Sequence, residues 1–382
     1  MNRLKTFLIP FVCLAAAHTA SALPENFDAR LKEANTSIRD NAPAKVWSEA
    51  YPIGNGRFGA MIFGGVREER LQLNDVTVWS GGKDDPWKKD SWTHLPEIRE
   101  AINQKDWRKA DGLVNRYMTE KGGYFPSYQT LGDLKIKFNI PEDAKIENYS
   151  RKLDLTNAVE TVSFKADGVT YTREYFASHP DQVVACRFTA SKPDALSCRI
   201  TLNRGKSAKT VAEGSNALLM TGNTDYDNRK GNCDYAVMLN VIPGQTLRRW
   251  TRDARSSPNT DIGIFGSINA KFSAKGDTIT VSGATSFTVY LAAHTSYKCD
   301  WDANYRNTDD LQAVVRERIG KTEPEIMTVV KSLSELQSPS GSGISMRMDR
   351  FDEFLQRHTE DYKKFFDRVT FDFRNPVEGK SD

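Results

Sequence analysis

Cysteine is scarce in this chain, at 5 among 382 residues, and no two cysteines stand in a C-x-x-C pair or beside a histidine cluster. A structural zinc site needs four closely placed nitrogen or sulfur ligands, so none is expected. The sequence predicts no metal and no cofactor. Long apolar runs are missing as well. After the first 22 residues, no stretch approaches the ~20 apolar positions that a membrane-spanning helix requires. Excess charge of one sign is also absent, because 53 basic residues face 50 acidic ones. A chain so close to neutral has no general electrostatic reason to hold nucleic acid or an anionic membrane.

What is present suits a folded, exported protein. Hydrophobic residues make up 39% and aromatic residues 10%, enough for a substantial core. The first 22 residues read as a signal peptide: basic Arg3 and Lys5, the apolar "FLIPFVCLAAA", then Ala20-Ser21-Ala22 at a cleavage site. A secreted or periplasmic location follows, and loss of the leader takes the net charge from +3 to +1. Cys186, Cys198, Cys233 and Cys299 remain. An oxidising compartment permits pairing, for instance of Cys186 with Cys198 on neighbouring strands, but buried free thiols are the favoured state.

From Leu71 onward, short segments alternate with period two. "RLQLNDVTVWS" aligns Leu71 with Leu73 and Val76 with Val78. "VETVSFKADGVTYTREYFAS" reads as two strands joined at Asp167-Gly168, a strong hairpin signal. "QVVACRFTA" and "ALSCRITLN" flank "SKPD" as a second hairpin, and "YAVMLNVI", "DTITVSG" and "SFTVYLAAH" add strands. The expected fold is mainly β: a large antiparallel β-sandwich over residues 23–335 with inserted helices. Helical spacing occurs at 95–118, where Trp107, Ala110, Val114 and Tyr117 recur, and from Asp309 to about Leu333. A flexible break, "QSPSGSGIS", opens a final segment, 336–382, which carries a linker helix. Its stripe of Phe351, Phe354, Leu355, His358, Tyr362, Phe365, Phe366 and Val369 is amphipathic and needs a surface to cover.

Gly54-Asn55-Gly56-Arg57-Phe58-Gly59 spells G-x-G-x-x-G. A dinucleotide loop requires a strand before these glycines and a helix after them. Here Gly64-Gly65 would interrupt any helix within about five residues, and "MIF" reads as strand. The glycines are therefore expected to serve a tight turn and close strand packing.

The longer stretch "WSEAYPIGNGRFGAMIFGGVREERLQLND" and the following "VWSGG", "LPEIREAI", "YQTLGDLKIKF", "RKLDLTNAVETVSF" and "GVTYTREYFASHPDQVV" resemble the N-terminal region of glycoside hydrolase family 95, the α-L-fucosidase family. "HTEDYKKFFDRVTFDF" is similar to the segment that leads toward that family's catalytic domain. The resemblance implies an N-terminal β-sandwich, a helical linker, an (α/α)6 barrel and a C-terminal β domain. It implies inverting hydrolysis of terminal α-L-fucosides, with a glutamate acid and an aspartate-polarised asparagine base, all in the barrel. Since the sequence reaches Asp382 where the barrel is expected to start, no catalytic residue is carried over, and the isolated chain is expected to be inactive.

A binding role remains open to the residues present. Sugars offer C–H faces to aromatic rings and hydroxyls to planar amides or carboxylates. Asn74, Asp75 and Trp79 form one such group, Tyr128, Gln129 and Asp133 a second, and Asn55 and Arg57 lie in the glycine loop. These eight are candidates for contact with a fucosylated glycan or with the barrel domain; their alternative is a purely structural role as buried polar anchors. The whole chain has two further readings, a free-standing glycan-binding module and a structural secreted sandwich.

Overall fold

The computed structural model describes residues 36–81, 90–118, 127–226, 229–251, 260–266, 270–300, 302–303, 305–323, 325–329, 344–348 and 350–369. The leader expected at 1–22 lies outside them. Among the described residues there are twenty strands. The first five are β1 (Ser37–Asp40), β2 (Tyr51–Gly54), β3 (Phe58–Ile62), β4 (Glu68–Asp75) and β5 (Gly132–Phe138). Then come β6 (Ile146–Asp154), β7 (Val159–Ala166), β8 (Val169–Ser178), β9 (Val183–Ala190) and β10 (Leu196–Asn203). They are followed by β11 (Ala208–Glu213), β12 (Ala217–Tyr226), β13 (Arg229–Pro243), β14 (Gln245–Thr251) and β15 (Thr260–Gly266). The last are β16 (Lys271–Lys275), β17 (Thr278–Ala284), β18 (Ser286–Thr295), β19 (Glu325–Val329) and β20 (Ile344–Met348). The α-helices among the described residues are α1 (Leu95–Asn103), α2 (Trp107–Tyr117), α3 (Leu311–Gly320) and α4 (Phe351–Phe366).

Two antiparallel sheets make the sandwich. One has nine strands in the order β1-β6-β7-β8-β9-β18-β13-β12-β11, and the other has seven in the order β16-β17-β10-β5-β4-β3-β2. Alternation places Leu71, Leu73, Leu134, Ile136 and Ile200 of the smaller sheet against Val162, Phe164, Phe188, Val237 and Leu291 of the larger. β9 and β18 are apolar almost without interruption because both of their faces are covered. Their outer faces join a second cluster in which Phe176, Ala185, Tyr290 and Ala292 pack on Val315 and Ile319 of α3 and on Phe351 and Phe354 of α4.

The hairpin at Asp167-Gly168 forms as expected. Both residues have positive φ, 46° and 84°, which a two-residue turn between right-twisted strands demands. The second expected hairpin does not form. β9 pairs with β8 and β18, whereas β10 pairs with β5 and β17 in the opposite sheet. Cys186 and Phe188 on one strand and Cys198 and Ile200 on the other all turn toward the same interior, so the strands must approach it from opposite sides. The chain crosses the sandwich at 191–195 instead of folding back.

Other expectations also shift. Val78 is buried, but β4 stops at Asp75 and Val76 is exposed. The long helix expected from Asp309 ends at Gly320, and 325–329 is strand paired with 344–348, which includes the last two residues of the expected break. Residues 330–343 lie outside the described ones. Of the α2 stripe only Ala110 is buried; Trp107 is exposed, and Tyr117 stacks on His94 at 3.6 Å. His94 is the residue immediately before α1, and its Nδ1 lies 2.5 Å from Glu97 Oε1 in the first turn. Cys186, Cys198 and Cys233 are buried and free, and Cys299 is exposed and free. No described helix is long and apolar enough to cross a membrane.

Candidate functional site

The glycine loop is the turn between β2 and β3. Gly56 has a φ of +86°, and a Cβ on Gly59 would lie 2.3 Å from the Ile53 carbonyl oxygen, so backbone meets backbone there. Asn55 closes the turn. Its Oδ1 accepts from the Phe58 amide at 2.8 Å and from the Arg57 amide at 3.2 Å, while its Nδ2 donates to the Ser178 carbonyl at the end of β8. One side chain thus shapes a turn in the smaller sheet and fastens it to the larger.

Arg57 extends the fastening. Its guanidinium donates to Asp75, to Gln182 Oε1 at 3.2 Å and to the Ala293 carbonyl at 2.9 Å. Asp75 is fully buried, and its Oδ1 also accepts from the Thr77 amide and hydroxyl. Arg318 of α3 donates to the same Ala293 carbonyl at 2.6 Å. Burial lowers the Arg318 pKa and the neighbouring Arg57 lowers it further, against the pull of Asp75. Asn55, Arg57 and Asp75 are therefore held in a knot between the sheets rather than projecting from a loop.

Asn74, one residue from Asp75, points the opposite way because strand side chains alternate. It lies on the outer face of the smaller sheet with Trp79, Tyr128 and Asp133. Trp79 and Tyr128 form an isolated antiparallel bridge, with ring centroids 5.5 Å apart and an angle of 57° between planes. The indole N–H donates to the Val76 carbonyl at 3.1 Å, and the Tyr128 hydroxyl reaches Asn74 Oδ1 at 3.4 Å. Burial raises the Tyr128 pKa, and the charge of Asp75 adds to the rise. Gln129 Oε1 accepts from Arg204 at 2.5 Å, and Asp133 pairs with Arg70 at 3.1 Å. The structure thus divides the eight residues into an interior knot of three, an outer-face group of Asn74, Trp79, Tyr128 and Asp133, and Gln129, whose partner Arg204 also donates to Tyr235 and Asn223 of the larger sheet.

A third constellation escaped the sequence reading. Glu69, Arg173 and Tyr175 meet inside the sandwich: Glu69 Oε2 accepts from Arg173 at 2.9 Å and from the Tyr175 hydroxyl at 2.8 Å, and Oε1 accepts from the Gly64 amide at 2.8 Å. Arg173 also donates to the Gly65 and Val66 carbonyls, and its guanidinium lies 4.3 Å from the Phe138 ring centroid. Glu160 is buried nearby, and among the described residues neither of its carboxyl oxygens has a hydrogen-bond partner. Burial drives its pKa well above the usual carboxylate range, and Glu69 adds to the rise against Arg151. The sequence did carry a signal: each charged residue falls in phase with inward apolar neighbours, as Glu160 does with Val162 and Phe164.

A cavity of about 240 Å³ lies beside α4, lined by Asn55, His179, His358, Asp361, Tyr362 and Phe365. His358 Nε2 donates to the Asn157 carbonyl at 3.0 Å and its ring stacks on Phe176, so burial lowers its pKa. Among the described residues, no three His, Cys, Asp or Glu side chains are grouped to hold a metal ion.

Parts of this chain are similar to known proteins. Alpha-L-fucosidase 2 of Arabidopsis thaliana is 36% identical over 162 residues, which span 42% of this chain and 19% of that protein. Proteins named "Probable alpha-fucosidase A" from Aspergillus niger and Aspergillus oryzae are 34% and 30% identical over 152 and 142 residues, about a fifth of their own lengths at 18% and 19%. Residues 38–300 match the family model described as glycosyl hydrolase family 65, N-terminal domain. That range encloses both sheets except the first residue of β1, and on this match the chain belongs to the glycosyl hydrolase family 65 N-terminal domain family.

Proposed function

We propose that this chain is the N-terminal sandwich and linker of a secreted or periplasmic glycoside hydrolase of family 95, whose complete protein releases terminal α-L-fucose from glycans with inversion. The observation that carries the reading is the 36% identity to a plant protein named as an α-L-fucosidase. Inversion needs an acid on one side of the scissile bond and a water-activating base on the other. Glu69 and Glu160 are fully buried and out of a substrate's reach, so the sandwich interior supports no such pair. The proposal therefore assigns bond cleavage to a separate (α/α)6 barrel domain and gives the sandwich a supporting role. Purified chain incubated with an aryl α-L-fucoside is expected to release no fucose. Turnover clearly above background in a homogeneous sample would overturn it.

A second reading, a glycan-binding module that works without a barrel, is favoured by one observation: Trp79 and Tyr128 are 45% and 43% exposed although each is held by a hydrogen bond.

A further inference from the structure

The two outer faces of the sandwich differ in chemistry. The nine-stranded sheet is apolar where α3 and α4 cover it, whereas the seven-stranded sheet presents a polar groove of about 420 Å³. Cross-strand register builds that groove. Gln72 on β4 pairs with Asp133 on β5, and Asp133 pairs in turn with Asn203 on β10. A row of amide, carboxylate and amide thus crosses three strands at a spacing of about 4.8 Å, the scale of one sugar ring. Two residues along, Lys135 and Thr201 form the next pair. Acid and base balance: Asp133 and Asp277 face Lys135 and Arg204 among the lining residues. Arg70 pairs with Asp133 beside the groove and Arg204 is bonded to Gln129 and Tyr235, so these cations already have partners, while the planar donors and acceptors of the row suit hydroxyl groups.

The exposed aromatic pair adjoins this row. Asn74 contacts the Tyr128 hydroxyl and donates to the Gln72 carbonyl, and Thr130, two residues after Tyr128, lines the groove. Because the Trp79 indole is anchored on Val76, its ring is presented at little cost in lost rotamer freedom. We propose that this outer face is a binding groove for an uncharged oligosaccharide, with Trp79 and Tyr128 stacking one sugar ring and Gln72, Asp133 and Asn203 bonding the hydroxyls of its neighbour. The inference rests on the carbohydrate-directed reading above and adds the site and the ligand class.

Calorimetric titration of the whole chain with fucosyllactose and with lactose tests it, alongside Trp79→Ala and Gln72→Ala proteins checked for an unchanged melting temperature. Saturable binding of at least one sugar is expected, weakened tenfold or more by Trp79→Ala and severalfold by Gln72→Ala. A preference for fucosyllactose supports the groove and ties it to fucosides; equal binding of lactose supports the groove without fucose recognition. Should Trp79→Ala fail to fold, Gln72→Ala, on an outer-face position of β4, decides alone. Absence of binding by the unaltered chain, or binding left unchanged by every folded variant, overturns the groove. Neither result bears on the hydrolase reading, which the aryl fucoside assay decides.

Discussion

The sandwich has two outer surfaces with opposite fates. On the nine-stranded side, Phe176 meets Phe351 with ring centroids 5.1 Å apart, Tyr290 meets Phe354 at 5.5 Å, and Arg187 reaches across to Asp352. On the seven-stranded side, the corresponding outward positions are Gln72, Asp133, Lys135 and Thr201, and the groove stays open. Both sheets satisfy their backbone in the same way, so what distinguishes them is the residue type at every second position. A strand with apolar residues on both faces, as in β9 and β18, recruits helices; a strand apolar on one face only leaves the other to solvent or ligand.

The largest test of this contrast is Phe354→Ala. It removes a fully buried ring between α4 and Tyr290, and a loss of about 3–5 kcal/mol in chemical denaturation is expected. A loss below ~1 kcal/mol would mean that the helix only rests on the sheet. A smaller effect concerns pH. Because the folded His358 pKa lies below that of the unfolded chain, the unfolded state takes up protons first as pH falls below about 6.5, and stability drops with it. The melting temperature is expected to decline from pH 7 to about 5.5, and His358→Phe to flatten that decline.

Glu160 has the opposite sign. Its raised pKa makes the folded state the better proton binder, so its contribution is greatest in acid and falls as pH rises above about 4.3, the unfolded carboxyl value. Glu160→Gln is expected to gain on the unaltered protein as pH climbs toward 8; a difference that does not change with pH would contradict a neutral Glu160. Smallest of all, Thr201→Ala on the open face should shift stability by no more than about 0.5 kcal/mol. A shift like that of Phe354→Ala would erase the distinction between the two surfaces.

Much of the β architecture was legible because alternation and turn chemistry act locally. Asp167-Gly168 specifies its hairpin through two backbone angles, and the glycines near 56 reveal a turn because no helix can follow them. Sheet membership was less legible. "SKPD" has turn chemistry whether the chain reverses within a sheet or crosses between sheets, and only the shared interior of Cys186 and Cys198 decides. The overlong helix after Asp309 had its stop signals in Gly320 and Pro324, which helical spacing alone does not weigh. At the site, residue type indicated Trp79 and Tyr128 but did not separate Asn74 from Asp75, whose side chains point to opposite faces of one strand. The Glu69–Arg173 pair was hidden because charged residues are ordinarily assigned to solvent.

The described cysteines carry a practical consequence. With Cys186, Cys198 and Cys233 sealed away unpaired, no described bond depends on an oxidant, and burial holds the Cys233 thiol up at about 11. Expression in a reducing cytosol should therefore give the same sandwich, a thiol reductant should leave its melting point where it was, and Cys299 alone of these four should accept an alkylating label in the native state.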